Sequence, residues 1–364
     1  MDIVKVSSDY EGSTLWGMNG GQPESPDGKL LVYARKAVID DPDKKETEIW
    51  ICDRDRLDNA RRVFTVQCGN HNGPSATFTD NDRIVFRDQT DGLAAFRILN
   101  IRTGQVEYGP IFAKESHCAE NGIYPFSISE EYLGKNPAYP QIDRCGIYLL
   151  RLSDGKVWRV ADKDTVFNMV IENGCIPNDK TTSMSHVQLS PDAKRIMMRL
   201  SVQNCPVFGA LGGIDLETGK TFVIPDKPVH QLWYDENTYM ATRQYVVDGR
   251  IDMATSRIQR FTMDGQCLET LGGIGNHIDG SPDRKWFTGD RAYPGYQTDV
   301  FLYRRGETEP ALTFGGSNFQ TCTWKHQIHP NPTFSRDGKR IYFNHAVSET
   351  RTEASFVDIS DIVD

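Results

Sequence analysis

The sequence predicts an all-β chain folded as a seven-bladed β-propeller, one domain over residues 1–364. Three observations predict it. One strand–turn–strand pattern recurs seven times, at about residues 25, 79, 129, 190, 234, 281 and 335. Seven copies in 364 residues give 52 residues each, enough for four short strands and their turns. No linker, low-complexity tract or long helical pattern interrupts the series, and a subset of blades could not close a ring.

The clearest copies are Ser25-Pro26-Asp27-Gly28, Ser190-Pro191-Asp192-Ala193, Ser281-Pro282-Asp283-Arg284 and Ser335-Arg336-Asp337-Gly338. A fifth is Thr79-Asp80-Asn81-Asp82. In these turns Pro presets φ at the first corner, Asp bonds the local backbone and Gly accepts positive φ. Each is followed by an alternating run such as Lys29–Ala34, Arg83–Phe86 or Arg340–Phe343, expected to be a half-buried strand. Weaker copies are Phe126-Ser127-Ile128-Ser129-Glu130 and Trp233-Tyr234-Asp235-Glu236. Outer strands are expected over Thr47–Asp53, Gly146–Leu152, Gly212–Leu216 and Thr298–Tyr303, with hairpins at Thr103-Gly104, Asp154-Gly155, Thr218-Gly219 and Asp264-Gly265. Ring closure is expected between Ile3–Val6 and Ala354–Asp358.

Composition narrows the function. The net charge is −9 and basic residues are not clustered, which disfavours nucleic acid and anionic membrane surfaces as partners. No apolar run nears the ~18 residues of a membrane helix, and the first residues lack a signal-peptide layout, so a soluble, cytoplasmic protein is expected. The eight cysteines form no Cys-x-x-Cys pair and are read as reduced thiols. A Gly-x-Ser-x-Gly elbow, a phosphate loop and a dinucleotide fingerprint are all missing. The oligomeric state is not legible.

The eight histidines carry the functional signal. His186, His230 and His277 lie four residues before Ser190, Tyr234 and Ser281, and Asn331 holds that offset before Ser335, just after His326 and His329. Equal register on blades around an axis means equal height, so these side chains can meet at one mouth of the channel. The functional reading is a divalent metal held by His277, His326 and His329, with Asn331 or Gln327 as an oxygen ligand or support. Mixed N/O ligation suits Mn²⁺, Fe²⁺ or Zn²⁺. His230 or His186, neutral near pH 7, suits a general base. Arg199, Arg243 and Arg291, near strand ends, can grip a carboxylate in bidentate fashion. The competing reading is that the histidines bond backbone between blades and the arginines are solvated surface cations.

The strings His186-Val187-Gln188-Leu189-Ser190-Pro191, His230-Gln231-Leu232-Trp233, Asn276-His277-Ile278-Asp279-Gly280-Ser281-Pro282-Asp283 and His329-Pro330-Asn331-Pro332-Thr333-Phe334-Ser335 resemble, in order, the oligogalacturonate lyase family. The likeness covers the C-terminal half by motif and the whole chain by architecture. It implies a seven-bladed propeller that cleaves short acidic oligosaccharides by β-elimination, a manganese-type cation, and His230 as base. His277 and His329 carry over as ligands. The family's last string reads Gln-x-x-His-x-His; here His326 stands for the Gln and Asn331 for the second His. That exchange leaves room for another uronate-containing substrate. Two other functions stay open: a non-catalytic propeller that binds a protein partner, and a glycosidase giving saturated products.

Overall fold

The structure is a computed structural model that describes residues 1–37, 46–68, 73–114, 118–177, 184–203, 210–224, 228–247, 250–292, 298–317 and 328–363. Seven small antiparallel sheets follow one another along the chain and close into a ring, giving the seven-bladed propeller that the repeats predict. Most are four-stranded meanders in chain order.

The strand before each turn lies nearest the axis, and the strand after it is second. The first strands include Ser13–Leu15, Thr77–Phe78, Met184–Leu189, Pro228–Trp233, Ile278–Gly280 and Thr333–Phe334. They touch across blades: Gln188 Nε2 donates to the Gln231 carbonyl at 2.8 Å, and Asp279 Oδ2 accepts from Thr333 Oγ1 at 2.7 Å and Phe334 N at 2.8 Å. His186 and His230 therefore sit on the innermost strands themselves.

The turn chemistry is as the residues dictate. Ser25 Oγ donates to Asp27 Oδ1 at 2.7 Å and accepts from Leu30 N at 3.0 Å, and Ser190, Ser281 and Ser335 repeat both bonds. Gly28 and Gly338 take φ of 70° and 73° at the fourth position. Ala193 and Arg284 hold the same left-handed conformation without glycine's freedom, a strain the serine and aspartate bonds hold in place.

The third unit departs from expectation. The run near Phe126 is not its turn: Ile123–Ile128 is already the second strand, paired with Gly146–Arg151. Its turn is Asn121-Gly122, with φ of 49° and 71°, joining Glu120 to Ile123. Asn-Gly is the favoured two-residue hairpin turn, and here it replaces the Ser-Pro-Asp form. The helix Lys163–Glu172 between the third and fourth blades was also not foreseen. Asp162 caps it by accepting from Thr165 N, and it buries Val166, Met169 and Val170.

The alternating strands prove buried on both faces. In the second blade-one strand, Leu31 and Tyr33 join the last blade's Tyr342 and Phe356, while Val32 joins Ile84 and Phe86 of blade two. Ile196 and Met198 pack toward blade three, whereas Met197 packs toward Trp233 and Tyr239 of blade five. Seven such apolar clusters fill the seven gaps between neighbouring blades. Period-two side chains thus serve two interfaces rather than one interface and solvent.

Closure follows the expected pairing. Val4 pairs with Phe356 and Lys5 with Ser355, so the N-terminal strand is the outermost strand of the last blade. Buried Glu24 ties the same seam, accepting from Tyr342 Oη at 2.5 Å and Arg336 N at 2.6 Å, with Arg54 Nε at 2.8 Å.

Beyond Leu15 the chain leaves its sheet as a loop and rejoins it where Glu24 bridges to Leu31. Trp16 N donates to Asn344 Oδ1 at 2.8 Å, Ile278 N donates to Asn19 Oδ1 at 2.9 Å, and Thr77 Oγ1 donates to the Gln22 carbonyl at 2.8 Å. One loop thereby touches blades two, six and seven as a plug. Gly21 permits it: a β-carbon there would stand 2.9 Å from the Met18 carbonyl oxygen. The six described cysteines are free, and no described helix is long and apolar enough to cross a membrane.

Candidate functional site

The repeated offset is a repeated backbone device. His186, His230 and Asn331 have φ of 53°, 53° and 47°. In blades four and five the ladder slips there, from Ser185↔Arg199 to Gln188↔Met197 and from Val229↔Thr242 to Leu232↔Met240. An extra residue opposes one partner, and such a bulge re-aims its side chain. Holding a non-glycine residue there costs on the order of 1–3 kcal/mol, which the flanking ladder must override. His277 shares the offset but not the device. Blade six pairs regularly through Ile278↔Gly289, and His277 faces Asp290.

Three imidazoles from three consecutive blades meet. The ring centroids of His230 and His277 are 4.4 Å apart, and those of His277 and His329 are 4.7 Å apart. His277 is the middle member and is buried. Its Nδ1 lies 2.8 Å from Asp290 Oδ2, and its backbone N donates to Asp290 Oδ1 at 3.1 Å. Asn331 N donates to Asp290 Oδ2 at 3.2 Å, so one buried carboxylate gathers blades six and seven. With Asp290 ionised, Nδ1 of His277 carries the proton and Nε2 presents its lone pair.

Burial sets the charges. The His230 pKa is pushed well below the ordinary histidine value, first by burial, then by the charges of His277, Arg199 and His329. A hydrogen bond to the Asn276 backbone pulls weakly the other way. Its Nδ1 is buried and has no hydrogen-bond partner among the described residues. Burial raises the Asp290 carboxyl to about 7 against the opposing pull of its backbone donors. Arg199, half-buried, is lowered by the same cause, and its charge reaches His230.

The other sequence candidates fall differently. His186 puts Nδ1 3.1 Å from Ser185 Oγ, and its carbonyl accepts from Gln231 Nε2 at 3.3 Å. Arg243 lies in Thr238–Val247, where its charge is felt at Tyr239. Arg291 is ion-paired with Asp299 and lies near the Phe301 ring, within its own blade. His326 and Gln327 lie outside the described residues. Asn331 is buried in the site, with Nδ2 3.4 Å from the His329 carbonyl.

Sequence reasoning missed Asp290 and Asn19. Asp290 had a signal: it stands nine residues after Ser281, as Arg199 does after Ser190 and Arg243 after Tyr234. The same offset from Thr79 and Ser335 gives Asp88 and Asn344. Charged and amide side chains therefore recur at this offset on the second strands of five blades, although Asp88 turns to Arg97 and the Gln67 backbone. Asn19 had none, because the plug follows no period.

For a divalent cation, the described side chains supply part of a donor set. No three His, Cys, Asp or Glu among them are arranged to hold one ion. His277, buttressed by a carboxylate as metal-ligating histidines commonly are, and the adjacent His329 are the two imidazoles that could hold one.

No family model and no curated protein sequence matches the chain. Solved structures do. An oligogalacturonate lyase in complex with manganese matches at a TM-score of 0.61 and 14% identity, over 99% of this chain and 93% of that one. An oligogalacturonate lyase from Vibrio parahaemolyticus matches at 0.63 and 13%, over 99% and 94%. A chain of a mitotic checkpoint complex matches at 0.54 and 8%, over 98% and 93%. At such identities the likeness is one of fold, and the chain is a seven-bladed β-propeller with the fold of the oligogalacturonate lyase structures.

Proposed function

We propose that this protein is a lyase that cleaves uronate-containing oligosaccharides by β-elimination. The observation that carries the reading is the contact of His230, His277 and His329 beside Arg199. The manganese complex of a lyase with this fold supports a divalent cation here, held by His277 and His329 with His326 and Asn331. Mn²⁺ is the first choice, Zn²⁺ and Fe²⁺ the others. Such an ion would supply Lewis-acid stabilisation of the charge that develops on the substrate carboxylate.

The protein groups do the rest. His230, kept neutral, takes the C5 proton; the electron pair forms the 4,5 double bond and the 4-O group leaves. The product carries an unsaturated uronate end. Arg199 holds a carboxylate, and Arg243 and Arg291 serve a neighbouring sugar. The partner is thus an acidic oligosaccharide met in the cytoplasm, and neither nucleic acid nor membrane.

The test is ultraviolet absorbance of the conjugated product when oligouronides are added to manganese-loaded protein. Appearance of an unsaturated end, confirmed by mass, supports the reading. Saturated products, or no product from pectic and glucuronate-containing oligomers alike, overturn it.

A further inference from the structure

The end of the channel opposite the histidines is a separate cavity of about 500 Å³. All seven blades line it, and the plug residues Gly20 and Gln22 form part of its wall. The plug's other contacts, to Ile278 and Asn331, lie toward the histidines.

Glu120 is fixed in this cavity. Its backbone exchanges both hydrogen bonds with Ile123, at 2.9 and 2.8 Å, and Asn121 Nδ2 donates to the Pro191 carbonyl at 2.9 Å. The carboxyl meets Cys118 Sγ at 3.5 Å and makes no ion pair among the described residues. Across the cavity from blade seven comes Arg336, whose charge reaches Glu120 and Cys118. It is exposed and likewise makes no ion pair among the described residues. Arg284 stands at the same wall, bonded to the Gly280 carbonyl at 3.2 Å. The second acid there, Asp279, is already taken by Thr333 and two backbone N–H groups. Phe78, Leu232, Trp233 and Met240 give the lining its apolar part.

A fixed carboxyl inside, guanidinium groups at the rim, and apolar walls between describe a ligand with two unlike ends. We propose that the cavity binds a small ω-amino acid, its ammonium on Glu120, its carboxylate on Arg336 and its methylenes against Phe78 and Trp233. A simple amine would be opposed by both arginines, and a simple carboxylate by Glu120. The site is independent of the elimination chemistry. Burial raises the Glu120 carboxyl to about 7, so an ammonium placed on it releases a proton, and affinity rises with pH through neutrality.

Isothermal titration of the whole chain tests this with 4-aminobutyrate, 5-aminopentanoate and 6-aminohexanoate against hexanoate and hexylamine. At least one amino acid should bind roughly tenfold or more tightly than either one-ended probe. Glu120→Gln should remove that binding, and Arg336→Gln, at an exposed position, should lower it to the level of hexylamine. Failure of all three amino acids to bind, equal binding of hexylamine or hexanoate, or unchanged affinity in Arg336→Gln overturns the proposal.

Discussion

Nδ1 of His277 lies 2.8 Å from Oδ2 of Asp290, a contact buried within blade six that also draws in the backbone of Asn331 from blade seven. This carboxylate fixes the tautomer of the middle imidazole and the seam between two blades together. Asp290→Asn replaces an acceptor of three N–H groups by an amide that brings its own N–H. Metal retention, read by elemental analysis, should fall about 10- to 100-fold. The unfolding free energy should drop by about 1–3 kcal/mol, read by urea denaturation.

His230 is the proposed base, and its neutral form is favoured by burial and by two neighbouring imidazoles. His230→Gln should lower the elimination rate roughly a hundred- to ten-thousand-fold while the bound metal stays. The His230 contribution to stability should fall as pH drops below the unfolded histidine value of 6.5, because the unfolded chain takes up a proton that the folded site resists. His230→Gln should show a shallower acid decline in the same range.

Glu120 behaves in the opposite sense. Its folded pKa of about 7 lies above the unfolded 4.5, so the folded state binds more protons between those values. Its contribution to stability is fully present below 4.5 and is lost as pH rises through 7. Across this window the denaturation midpoint of the wild type, taken relative to that of Glu120→Gln, should decline as pH rises. Equal slopes in the two proteins would remove Glu120 as the cause.

Arg54 joins blade one to blade seven through Glu24 and Asp337. Arg54→Met leaves the buried Glu24 carboxylate without its cation and should cost about 3 kcal/mol by urea denaturation. Arg102→Met, whose pair with Asp82 is exposed, should cost under about 1 kcal/mol.

Blade number and closure were legible because they rest on local signals, a turn sequence and a period of two. Blade three was misplaced because its turn, Asn121-Gly122, carries a different local solution to the same geometry. That strands such as Leu30–Lys36 are buried on both faces was not legible, since alternation reads alike whether the second face meets solvent or another apolar blade. Register placed His230 and His277 at one height, but it equally picked out His186, which lies against Ser185 instead, and the blade-seven member, His329, stands two residues ahead of the offset. Asp290 was not legible, although it shares an offset with Arg199, because it lies one strand farther out and that offset carries acids, bases and amides alike. Asn19 reaches Ile278 from a loop with no period, and only the closed ring brings them together.

The pairing of Val4 with Phe356 orders events during synthesis. The first of these strands is made long before the second, and until the later one emerges from the ribosome the edge of Thr352–Asp358 does not exist to be covered. Six finished sheets must wait, each with one greasy flank turned to the next, for a seventh that needs a strand made long before to finish it. A ribosome stalled late would therefore leave an open arc ready to pair with another open arc rather than a smaller stable protein.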